Sequence, residues 1–168
     1  GAAFYYRSRP DNEYGLQQVW RGVGGEQFGF AVARVGDVNS DGQPDFAVGA
    51  PLSNSVATDA GRVCLYWGGS TISATPDLVI PGEAAGDQFG FAISAAGDFN
   101  GDGEDDFIVG APYRNAPGTD QGSAYIIFGG NGGPSSNLAD ALRLSGQVGG
   151  DLFGYSVSDA GNFLASAH

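Results

Sequence analysis

The chain repeats itself, and the repeat limits the fold more than any other feature. Gly25-Glu26-Gln27-Phe28-Gly29-Phe30-Ala31 returns as Gly86-Asp87-Gln88-Phe89-Gly90-Phe91-Ala92, 61 positions later, and the match runs without a gap to Pro51 and Pro112. It extends further, because Gly61-Arg62-Val63-Cys64-Leu65-Tyr66-Trp67 corresponds to Gly122-Ser123-Ala124-Tyr125-Ile126-Ile127-Phe128 at the same spacing. Gly1-Ala2-Ala3-Phe4-Tyr5-Tyr6 fits that segment one unit earlier, and Gly150-Asp151-Leu152-Phe153-Gly154-Tyr155 opens a third copy. The units therefore read as 1–24, 25–85, 86–149 and 150–168, two of them whole. A repeated unit of this length must stack on its neighbours to bury a core.

Each unit reads as four short strands. In the first whole unit these are 28–35, 45–48, 62–67 and 77–80, from alternation, β-branched and aromatic enrichment, and Gly, Pro, Asn and Asp punctuation. Alternation in the third places Val63, Leu65 and Trp67 on one face and Cys64 and Tyr66 on the other. The partial units add strands at 2–7, 16–21 and 153–158, and the only helix candidate is 136–142. A repeated four-stranded unit predicts an all-β chain with the blades of a β-propeller. A parallel β-helix is the weaker alternative, since its coils are shorter.

Between the first and second strands lies Asp37-Val38-Asn39-Ser40-Asp41-Gly42-Gln43-Pro44-Asp45, repeated as Asp98-Phe99-Asn100-Gly101-Asp102-Gly103-Glu104-Asp105-Asp106. Side-chain oxygens at positions 1, 3, 5 and 9, with glycine at 6, suit a hard cation. Alternate residues of a tightly curled loop point inward, and the main-chain carbonyl at position 7, Gln43 or Glu104, can add a ligand. Oxygen donors without histidine or thiolate favour Ca²⁺ over transition metals, and Mg²⁺ seldom takes an all-protein cage. The expectation is about two Ca²⁺ per chain, held by Asp37, Asn39, Asp41, Gln43 and Asp45, and by Asp98, Asn100, Asp102, Glu104 and Asp106. The alternative is an Asx-rich turn that binds no metal. In the third copy Asn162, Leu164, Ser166 and Ala167 stand at positions 1, 3, 5 and 6, so no full site is expected there.

Composition narrows the remaining chemistry. Seven basic residues against 19 acidic ones give a formal charge of −12, which disfavours nucleic acid, because phosphate binding draws on Lys and Arg. With one histidine, at the C-terminus, and one cysteine, neither a Ser-His-Asp triad nor a multi-histidine metal centre is expected. The clustered carboxylates read as cation ligands rather than a glycosidase pair. No apolar stretch reaches the ~20 residues of a membrane span. The absence of methionine is read as a sign of a processed product or a piece of a longer protein.

Phe-Gly near the start of each unit, the Asp-rich loop and then Gly-Ala-Pro (Gly49-Ala50-Pro51 and Gly110-Ala111-Pro112) resemble the FG-GAP family. These repeats build the β-propeller of integrin α subunits and occur in many bacterial extracellular proteins. The resemblance implies a Ca²⁺-binding propeller outside the cell or on its surface. In integrins it also implies adhesive ligand recognition and a protein partner on the propeller surface. On that basis the chain is expected to be a non-enzymatic adhesion or protein-interaction module. A structural subunit of a surface filament or sheath, and the non-catalytic propeller of a secreted enzyme, are the alternatives. Two whole blades and two partial ones fall short of the four to eight that close a propeller. A protein partner, a second copy, or the rest of a longer propeller is therefore expected to complete the ring.

Overall fold

In the computed structural model, which describes residues 1–8, 13–115 and 119–159, the strands pair strictly with their sequence neighbours. An N-terminal hairpin joins β1 (Ala2–Ser8) to β2 (Tyr14–Arg21). The first blade is an antiparallel meander of β3 (Val32–Gly36), β4 (Asp45–Ala50), β5 (Arg62–Tyr66) and β6 (Leu78–Pro81), in that spatial order. The second repeats it with β7 (Ala92–Gly97), β8 (Asp106–Ala111), β9 (Ser123–Ile127) and β10 (Leu142–Ser145). Strands β3 and β7 lie side by side. The fold is all-β, as the repeat predicts: two four-stranded blades and part of another, in the arrangement of FG-GAP propeller blades.

Alternation in β5 divides the interior into two seams. Val63 and Leu65 join Ile80, Phe89, Phe107, Val109 and Tyr125 between the two blades, with Trp67 packed against that cluster. Cys64 and Tyr66 join Ala3, Trp20, Phe28, Val48 and Ala50 between the first blade and the hairpin. Trp20 anchors the second seam, 4.7 Å from Tyr66 and 5.2 Å from Phe46 between ring centroids. Burial also pushes the Cys64 thiol up to about 11, so this cysteine is an inert core residue.

Three expectations need correction. The Phe-Gly segments are turns rather than the start of the first strand. Gln27 and Gly29 have φ of 57° and 85°, Gln88 and Gly90 have 54° and 90°, and only from Val32 and Ala92 does the chain extend. Each turn pushes its phenylalanine into the seam and is stapled to the blade before it, as at the Gly61–Phe89 bridge, where the Phe89 N–H donates to Ala60 O at 3.0 Å. The helix candidate shrinks to a 3₁₀ turn, Leu138–Asp140, capped by Asn137, and Leu142 already belongs to β10. Phe153 forms only an isolated bridge to Gly122, and no strand runs through residues 153–158. A first strand pairs within its blade only with the second, β3 with β4 and β7 with β8, and residues 153–158 have no such partner among the described residues. Asn162, Leu164, Ser166 and Ala167 lie outside the described residues.

Candidate metal centre

Each Asp-rich segment connects the first strand of a blade to the second, and the two loops fold by the same internal hydrogen bonds. In the first, the Asp41 N–H is shared between Asp37 Oδ1 at 3.0 Å and Asn39 Oδ1 at 3.1 Å. Gly42 donates to Asp37 Oδ2 at 2.7 Å and Gln43 to Asp41 Oδ1 at 2.8 Å. In the second, Asp102 donates to Asp98 Oδ1 at 3.0 Å and Asn100 Oδ1 at 2.9 Å, Gly103 to Asp98 Oδ2 at 3.0 Å, and Glu104 to Asp102 Oδ1 at 3.0 Å. Position 6 requires glycine, because Gly42 and Gly103 have φ of 85° and 95° and a Cβ is strained there.

The carboxylate at position 9 closes each loop. Asp45 is fully buried and accepts from Val38 N–H at 3.1 Å and Gly68 N–H at 2.8 Å. Asp106 is equally buried and accepts from Phe99 N–H at 2.9 Å and Gly129 N–H at 2.8 Å. Burial pushes the Asp45 carboxyl up to about 6, against the lowering effect of the Gly68 and Val38 N–H groups and with the charges of Asp41 and Asp37. Asp106 is raised in the same way, mainly by burial. A buried carboxylate without a counter-charge is expensive, and a cation beside it would remove that cost.

The ten residues singled out from sequence thus fall in two equivalent places, Asp37, Asn39, Asp41, Gln43 and Asp45 in one and Asp98, Asn100, Asp102, Glu104 and Asp106 in the other. Within each, the side chains at positions 1 and 3 meet at one amide. The Glu104 side chain leaves its own loop and accepts the Ser40 hydroxyl of the other, so any share of position 7 in the second loop falls to its main chain. No three Asp, Glu, His or Cys side chains form a ready-made metal cage among the described residues. The donor set nevertheless fits a hard cation: it is all oxygen, and a carboxylate oxygen has two lone pairs, so one that accepts an N–H retains acceptor capacity.

Sequence reasoning missed a layer around the first loop. Asp105 of the second loop accepts the Asp37 N–H at 2.8 Å. The glycine run after β9 also reaches the first loop, Gly130 and Gly132 donating to the carbonyls of Val38 and Asn39 at 3.1 Å each. The repeated glycine just before each loop, Gly36 and Gly97, gave no signal of it, since among the described residues only Gly36 meets such a side chain.

Known proteins share this repeat. The FG-GAP repeat family matches residues 28–66 and 89–127, each running from the Phe-Gly turn through the Asp-rich loop to the third strand. Integrin alpha-PS2 of Drosophila melanogaster is 33% identical over 162 residues, which cover 88% of this chain and 11% of that protein. Integrin alpha-3 of Mus musculus is 32% identical over 167 residues, 94% of this chain and 15% of that protein. Integrin alpha-5 of Xenopus laevis is 34% identical over 121 residues, 69% of this chain and 11% of that protein. The chain therefore spans between 11% and 15% of the length of these relatives. With two complete blades, each carrying one matched repeat, the chain belongs to the FG-GAP repeat family and is similar to integrin α subunits.

Proposed function

We propose that this chain is a calcium-stabilised segment of an extracellular or cell-surface propeller that recognises other proteins, as an adhesion module does. Its blade units are 1–24, 25–85, 86–149 and 150–168. The observation that carries the reading is the duplicated oxygen loop. Two loops of the same donors and internal hydrogen bonds stand at the same place in two blades, each closed by a fully buried aspartate. Similarity to integrin α subunits supports a non-enzymatic interaction role, and no helix among the described residues is long and apolar enough to cross a membrane. Calcium loops of modest affinity suit the outside of a cell, where such modules work at about 10⁻⁴–10⁻³ M.

Calcium would be held by Asp37, Asn39, Asp41 and Asp45 with the main chain of Gln43, and by Asp98, Asn100, Asp102 and Asp106 with the main chain of Glu104. Bound there, it would supply charge neutralisation. The loops' own contribution is to fix the first strand of each blade against the second. Titration of the metal-free chain with CaCl₂ should show about two sites and raise the melting temperature. Asp41→Ala and Asp102→Ala should each remove one site. A melting temperature that does not respond to calcium would refute the stabilising role.

A further inference from the structure

The two loops are alike in sequence and unlike in surroundings. The first is gripped by the second blade at three places, by the Asp105 carboxylate on the Asp37 N–H, by the Glu104 carboxylate on the Ser40 hydroxyl, and by Gly130 and Gly132 on the carbonyls of Val38 and Asn39. Val38 and Asn39 are buried in consequence, whereas their counterparts Phe99 and Asn100 are exposed. Among the described residues no third loop reaches Asp98 or Asn100 in the same way.

The grip needs a built slot. A Cβ on Gly36 would lie 2.3 to 2.6 Å from the atoms of the Asp105 side chain, so the carboxylate fits only because residue 36 is glycine. At Gly97 no atom of the described residues lies within 4 Å of that Cβ position. Asp105 is not required by its own loop. The residue at its position in the first loop is Pro44, which offers no side-chain oxygen, yet that loop makes the same internal hydrogen bonds.

We propose that Asp105, although it lies within the second loop, is a positioning residue for cation binding at the first. The proposal rests on the calcium reading above. Its physical basis is preorganisation: a loop already held in shape loses less freedom on binding. The hydrogen bond fixes the main chain of Asp37, the residue at position 1, and the Asp105 charge adds to the field that draws a cation there.

The test uses the full chain in two backgrounds. Asp102→Ala leaves only the first site and Asp41→Ala only the second, and each is titrated with CaCl₂ by calorimetry with and without Asp105→Ala. Loss of one charge-assisted hydrogen bond should weaken the first site roughly tenfold, while the second changes far less. Asp105→Asn, which keeps an acceptor oxygen, should fall between. A loss confined to the second site, or an equal loss at both, would overturn the proposal.

A metal-free measurement separates this from the calcium reading itself. In chelator, Asp105→Ala should accelerate hydrogen exchange at the Asp37 amide and leave that of Phe99, bonded within its own loop, unchanged. Unchanged Asp37 protection overturns the positioning role whether or not calcium binds. Absence of binding in both single-site backgrounds refutes the calcium reading, and this proposal with it.

Discussion

Glu83 gathers three partners across the second blade. The Tyr125 hydroxyl donates to it at 2.9 Å, Arg114 donates twice at 2.9 and 3.1 Å, and Arg143 lies 3.5 Å away. Burial works against its charge, but the Tyr125 and Arg114 hydrogen bonds and the two arginine charges outweigh it, so its carboxyl sits below the ordinary 4.5. The consequence has a definite sign. A carboxylate depressed by folding stabilises the folded state above its unfolded pKa, and that contribution is lost as pH falls through the folded value. Neighbouring Asp87 is raised by burial, against the charge of Arg114, and acts in the opposite sense. A variant is therefore needed to isolate Glu83. Glu83→Gln should destabilise the protein near neutral pH by about 1 kcal/mol, since the site is partly solvated. In calcium-free thermal melts the gap to the parent should close as pH falls below 4.5. A gap that ignores pH would show that packing, not charge, is what Glu83 contributes.

At the scale of the strand, glycine sets how closely blades approach. A Cβ on Gly49, at the end of β4, would lie 2.1 Å from the Gly90 carbonyl oxygen in the next Phe-Gly turn, main chain against main chain. Gly110 meets Gly154 in the same way one unit later. Overpacking of this kind cannot be relieved by a rotamer change, so Gly49→Ala should cost about 2–3 kcal/mol, read as a drop in the urea midpoint. A change within experimental error would mean the seam is looser than this contact implies. The same scale explains what the sequence makes legible. The period, the four strands per unit and the two faces of β5 follow from local pattern, because adjacent strands pair and alternation decides which seam each residue enters. The Phe28-Gly29 turn escaped because its apolar residues alternate like a strand, and only the positive φ of Gln27 and Gly29 distinguishes it. The internal ladder of each loop was legible from oxygen spacing. Asp105 on Asp37 was not, because that contact spans 68 positions and depends on how two blades meet.

For the molecule as a whole, the open feature is the outer edge of β1. Within a complete blade the third strand has a partner on each side, as β5 does with β4 and β6. Strand β1 pairs with β2 alone among the described residues, beside exposed Phe4, Tyr6, Tyr14 and Leu16. An unpaired edge next to apolar side chains invites another strand. The isolated chain should therefore associate at micromolar concentration, with a light-scattering mass above 17.1 kDa that grows with concentration. A mass fixed at the monomer value would mean that edge is protected.

The central claim is that the paired oxygen loops are calcium sites, and the direct measurement is anomalous X-ray diffraction from crystals grown in CaCl₂. The account predicts two peaks, one at about 2.3–2.6 Å from oxygens of Asp37, Asn39, Asp41 and Asp45, the other placed likewise against Asp98, Asn100, Asp102 and Asp106. Well-ordered loops with no anomalous peak, or peaks only elsewhere, would contradict it.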